Sequence, residues 1–158
     1  ELRKLIFEEG AFNLADYHQK PFRKPNEKAI DFYRIKTYAI NGVLDSINIT
    51  TGVEAQLNNF TAREQSGFVI KKLNTHLSID AKTFNWQNLE LITNKGSING
   101  DVAFEFKKWS QWKYFNDSVN VDAELNEADI YLNDLGFFAP VIKDYDKNVM
   151  VSGKINGH

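Results

Sequence analysis

The chain has 158 residues, of which 42% are hydrophobic and 25% charged, with 19 basic against 21 acidic side chains and a net charge of −2. That balance provides no field to attract nucleic acid or an anionic membrane surface, so nucleic acid is not an expected partner. The absence of cysteine removes disulfides and thiolate metal sites without fixing the compartment.

From its first residues the chain reads as a strand, with Leu2, Lys4 and Ile6 alternating against Arg3, Leu5 and Phe7. Gly157-His158 reads as another opening, and we expect one segment of a longer protein. The apolar run Leu135 to Ile142 is far shorter than the roughly 20 residues needed to cross a bilayer, and no signal-like segment opens the chain. A membrane anchor is expected outside this stretch. Lys20 to Lys28, with its prolines and charges, reads as a loop.

Alternation then dominates. Val43, Asp45, Ile47 and Ile49 share one parity, as do Val69, Lys71, Leu73, Thr75, Leu77 and Ile79. Phe84 and Trp86 change parity to Leu89 and Leu91, which predicts a β-bulge near Gln87 or Asn88. Residues 97–106, SINGDVAFEF, place Ile98, Gly100, Val102, Phe104 and Phe106 on one face and polar residues opposite. Val119, Val121, Ala123 and Leu125 repeat the pattern. Turns are expected at Thr51-Gly52, Asp80 to Lys82, Asn94-Lys95-Gly96 and Asp144 to Asn148. A short helical turn is expected near 133–142, where an Asn or Asp precedes an apolar run containing Pro140.

The tripeptide Ile-Asn-Gly begins at 40, 98 and 155, at intervals of 58 and 57 residues, which marks repeated units. Several strands read as about ten residues, longer than usual. Strands of this kind joined by tight turns expose a continuous apolar face. A sandwich, a closed barrel or a curled open groove would hide it.

Chemistry is sparse. His18, His76 and His158 lie far apart, without metal-ligand spacing. His76 and Ser78 share a face, as a Ser-His dyad would, but two exposed polar residues on a wet face are the expected description. Asp144-Tyr145-Asp146 and Asp16 fall in turn-like stretches without an identifiable partner carboxylate. Gly96 and Gly100 precede no helix, so no phosphate loop forms. Thus we expect no enzyme, cofactor or metal. Lys107 to Phe115, KKWSQWKYF, groups four aromatics with three lysines, an interfacial contact or a packed sheet rim. Asp45-Ser46-Ile47 and Asp117-Ser118-Val119 fit an Asp-Ser/Thr-apolar pattern similar to a bacterial O-glycosylation consensus, making Ser46 and Ser118 candidates. Asn48-Ile49-Thr50, Asn59-Phe60-Thr61 and Asn116-Asp117-Ser118 fit the N-glycan acceptor pattern.

Residues 57–80, LNNFTAREQSGFVIKKLNTHLSID, are followed by FNWQNLELITNKGSINGDVAFEF and then DIYLNDLGFFAP. In this order they resemble the TamB and AsmA-like family of bacterial envelope proteins over residues 57–157. The matching pieces are Ser66-Gly67-Phe68, the serine- and glycine-bearing strand at Ser97 to Asp101, and the Asp-Leu-x-x-Phe-x-Pro turn at Asp134 to Pro140. The resemblance implies a mainly β fold, a long curled antiparallel sheet forming an open hydrophobic groove of taco shape. It also implies a periplasmic segment of an inner-membrane-anchored protein, phospholipid as cargo, and an outer-membrane barrel assembly protein of the Omp85 type as partner. On that reading Leu73, Leu77, Ile98, Val102, Phe104, Phe106, Val121 and Leu125 face lipid acyl chains, and the protein conducts lipid or supports outer-membrane assembly. The alternative is a closed β-sandwich for adhesion or carbohydrate binding, with Trp109, Trp112 and Tyr114 stacking on sugars.

Overall fold

A computed structural model describes residues 3–18, 20, 28–108, 119–138 and 142–157. It contains eight strands: β1 (Lys4–Ala15), β2 (Arg34–Ile49), β3 (Val53–Glu64), β4 (Val69–Ile79), β5 (Thr83–Ile92), β6 (Ser97–Glu105), β7 (Asn120–Tyr131) and β8 (Asn148–Gly157). One helical turn, α1 (Leu132–Leu135), follows β7. Every strand pairs antiparallel with its sequence neighbours, giving one open sheet in the order β1 to β8 with β1 and β8 outermost among the described strands. The mainly β, open antiparallel architecture with one short helix is therefore as expected. All described strands belong to this one sheet, so they form neither a two-sheet sandwich nor a closed barrel.

The sheet is creased along one row. Glu9, Asn59 and Asn88 have φ of 47°, 50° and 51°, and each lies at a register shift in β1, β3 or β5. β7 shifts register between Leu125 and Ala128. The Asn88 bulge is the one predicted from the parity change. Each left-handed residue turns its N–H to a side-chain oxygen on the next strand: Glu9 to Asn41 Oδ1 at 2.9 Å, Asn59 to Asn74 Oδ1 at 2.6 Å, and Asn88 to Asp101 Oδ1 at 2.7 Å. These side chains satisfy donors that the interrupted ladder leaves over. Bulges also increase local twist, and four across one sheet bend it into a trough.

The bulges correct two assigned faces. Leu44, rather than Val43 or Asp45, pairs with inward-facing Leu57, while Asp45 pairs with Gln56. A shift at Ser46, where φ is 53°, returns Ile47 and Ile49 to the apolar face. In β4, Ile70 pairs with buried Ala62 and joins Leu73 on the inner face, displacing Val69 and Lys71. One extra residue reverses the parity of everything beyond it.

Of the three Ile-Asn-Gly marks, Gly42 and Gly100 sit in the creased row with φ of +146° and +150°. Gly157 ends β8, and it is Gly153, at φ +122°, that lies in that row opposite Leu125.

Candidate functional site

The inner face of the trough is apolar because register brings like residues together strand after strand. Leu73 lies opposite Leu91, Leu91 opposite Ile98, and Ile98 opposite Ala128. Farther along, Leu77 lies opposite Trp86, Trp86 opposite Val102, and Val102 opposite Ala123. A cavity of about 410 Å³ occupies the trough, lined by residues from β2 through β7, among them Ile35, Ile70, Leu73, Leu91, Ile98 and Ile130. Its volume is in the range of small-molecule sites.

Two connections close one end. Ile30, ahead of β2, donates its N–H to Phe137 O, beyond α1, at 2.8 Å. Phe138 packs against Phe32 at 6.4 Å and against Phe68 at 5.1 Å between ring centroids, and Phe68 meets Phe137 at 5.5 Å. Asp31 shapes the first connection by accepting from Tyr33 N–H at 3.0 Å, beside Phe32. Asp134, 7% exposed, holds the second. Its Oδ2 accepts from the Thr93 hydroxyl, from Lys95 N–H at 3.0 Å and from Gly96 N–H at 3.2 Å, tying α1 to the β5–β6 turn. The plug thus rests on a buried carboxylate whose charge is met by three donors.

Toward the other end, Phe84, Trp86 and Phe104 cluster with centroids 5.4–6.2 Å apart, Trp86 edge-to-face with each phenylalanine and the two phenylalanine rings tilted at 45°. Of the eight residues expected to face a groove, Leu73 and Ile98 line the cavity, and Leu77 and Val102 flank Trp86. Phe104 belongs to the aromatic cluster, and Val121 lies across from it. Leu125 joins Ala123 and Ala128 in a buried cluster against Ile98 and Val151. Phe106 is buried just past β6, donating its N–H to Lys82 O at 2.8 Å. The first seven lie along one inner face with two zones, a plugged cavity and an aromatic stretch.

Sequence reasoning missed Ile35, Ile70, Ile130 and the phenylalanine plug. The bulge concealed Ile70, and the plug joins residues about a hundred positions apart. The Asp134 to Pro140 turn was noticed, but nothing in its pattern gives its contact with Phe32.

The outer face is polar and paired. Lys72 Nζ meets Glu90 Oε1 at 2.7 Å and Asn74 Nδ2 meets Oε2 at 2.8 Å, holding the Glu90 carboxyl below the usual carboxylate range. His76 lies between Gln56 and Gln87, and Ser78 between Glu54 and Asn85, on this wet face. Ser46 Oγ is exposed and donates to Asp45 Oδ1 at 3.1 Å. Ser118, Trp109, Trp112, Tyr114 and Pro140 lie outside the described residues. Among the described residues, no three His, Asp or Glu side chains gather to hold a metal, and no helix is long and apolar enough to cross a membrane. No protein-family model, curated protein or solved structure matches the chain.

Proposed function

We propose that this chain is a non-enzymatic β-groove segment that shields lipid acyl chains from water. In the setting its resemblance to the TamB and AsmA-like proteins implies, it is a periplasmic piece of an inner-membrane-anchored protein working with an outer-membrane barrel partner. The observation supporting the reading is a mainly apolar inner face that carries the Leu73 and Ile98 cavity and the Phe104 cluster, with Glu64, Thr93 and Asp134 buried at the cavity's margin. Each methylene buried there contributes about 0.8 kcal/mol. Apolar contact has no direction, so a tail is held without being fixed in one position. On this reading the Phe32, Phe68 and Phe138 cluster caps one end of the described groove, and a tail lies along the face between that cluster and Phe104.

The test is native mass spectrometry with lipid extraction on protein purified in mild detergent. Phospholipid is expected with the wild type and with Phe104→Leu. Phe104→Glu, which sets an unpaired carboxylate in the aromatic stretch at a cost of several kcal/mol, is expected to lose it. Folded wild type without lipid, or equal lipid in Phe104→Glu, would refute the proposal.

A further inference from the structure

The cavity beside the phenylalanine plug has the volume of a single hydrocarbon chain. A methylene takes about the 30 Å³ of one water, so 410 Å³ holds about 14 of them and not two such tails. None of the lining residues is a lysine, arginine or histidine. The buried ionisable groups at its margin are carboxylates, Glu64 at 6% and Asp134 at 7% exposure. Both are already engaged. Glu64 accepts from Ser66 N–H at 2.7 Å and from Lys36 N–H at 3.4 Å, and Asp134 from the Thr93 hydroxyl and the N–H groups of Lys95 and Gly96. An anionic head entering the cavity would leave water, find no counter-charge and meet two buried negative groups. The chain can enter, and its head stays outside.

We infer that the cavity is a single-chain pocket that measures its occupant: one unbranched acyl chain of about 14 carbons, from a free fatty acid or a lipid, with its head in water. The inference rests on the reading of the groove as a lipid-binding face and adds the size and polarity of what it holds. The plug sets one limit and Trp86 the other. Trp86 lines the cavity and also stands edge-on to Phe84 and Phe104, so carbons beyond it lie on the half-buried aromatic stretch and not inside. Each enclosed methylene tightens binding about fourfold, and each one beyond Trp86 adds less. Ala62 and Ile70 tune the capacity. They lie opposite each other on β3 and β4, and both line the cavity. Because a packed wall gives up space carbon for carbon, Ala62→Leu shortens the enclosed chain by about three carbons and Ile70→Ala lengthens it by about three. Together the two substitutions exchange equal volumes across one strand pair and restore the original capacity.

The test is calorimetric titration of the protein with saturated fatty acids from decanoate to octadecanoate, each below its micelle concentration. Affinity is expected to rise about fourfold per carbon up to about 14 carbons and less than about twofold per carbon beyond. In variants whose circular dichroism matches wild type, the break is expected at shorter chains for Ala62→Leu, at longer chains for Ile70→Ala, and at its original place in the double variant. A uniform increment through octadecanoate, or a break that neither variant moves, would overturn the pocket and leave the groove reading standing. No binding by any chain would overturn both. Myristate and myristoyl lysophosphatidylcholine, which share the chain and differ in the head, are expected to bind within about threefold of each other. A preference for either head beyond about tenfold would place the head inside and overturn the assigned polarity.

Discussion

Gly100→Ala tests the origin of the crease. Gly100 has φ +150°, a conformation that costs an alanine about 1–3 kcal/mol. The new methyl would also collide with Glu124 O and lie 2.9 Å from Leu125 Cα, both backbone atoms that cannot rotate away. Overpacking of that kind adds about 1–3 kcal/mol, for a total of about 2–6 kcal/mol. Gly153→Ala has the same kind of strain at φ +122° but no described atom within 4 Å, so it retains only the first cost. Urea unfolding read by tryptophan fluorescence separates the two. With a slope of roughly 2 kcal/mol per molar urea, Gly100→Ala is expected to lower the midpoint by about 1–3 M and Gly153→Ala by about half as much. Equal shifts for the two variants, with unchanged slopes, would refute the claim that close passage of β7 is what requires glycine at 100.

Asp134→Ala removes the acceptor shared by the Thr93 hydroxyl and the N–H groups of Lys95 and Gly96. It is expected to cost about 3 kcal/mol or more and to raise hydrogen exchange at Lys95 and Gly96, where protection equal to wild type would count against the plug's anchor. Acid lowers stability through two exposed carboxylates held below their ordinary values. Asp80 is held there by the backbone N–H groups of Lys82 and Thr83, and Glu90 by Lys72 and Asn74. Their contribution is fully present above the ordinary values of 3.8 and 4.5 and is lost as pH falls through the lowered ones, so Asp80→Asn with Glu90→Gln is expected to flatten the acid limb of a stability-versus-pH curve. Lys95 is raised by its bond to Asp146, so its contribution is present below its ordinary 10.5 and lost as pH rises through the higher folded value. Lys95→Met should remove that alkaline loss.

Alternation made the strands legible because half-buried strands have a period of two, and that signal is strong where a strand runs without interruption. Residues 97–105 are such a case: Ile98, Val102 and Phe104 all face inward as read. It weakens at bulges. The Asn88 bulge announced itself because apolar pairs flank it at opposite parities. Those at Ser46 and beside Lys71 did not, because apolar residues stand at both parities: Val43 and Leu44 in one case, Val69 and Ile70 in the other. The end plug was out of reach for a different reason. The contacts of Phe32 and Phe68 with Phe138 depend on how far the sheet curls, which is set by the summed twist of six strands rather than by any local pattern.

The crease and the lining are separable parts of one device. β4 carries Thr75, 1% exposed, in the row where β2, β6 and β8 carry glycine. Its hydroxyl donates to Gln87 O at 3.0 Å, the carbonyl beside the Asn88 bulge. Two chemistries therefore answer the same interruption: glycine yields space to an approaching backbone, and threonine meets a carbonyl displaced from the ladder. Neither presents a large apolar side chain to the cavity. The radius of the trough is thus set by residues such as Gly42, Thr75, Asn74 and Asp101, and its chemistry by Leu73, Leu91, Ile98 and Ile130. Substitutions in the first group change how tightly the sheet curls around whatever it encloses; those in the second change only what it prefers to enclose.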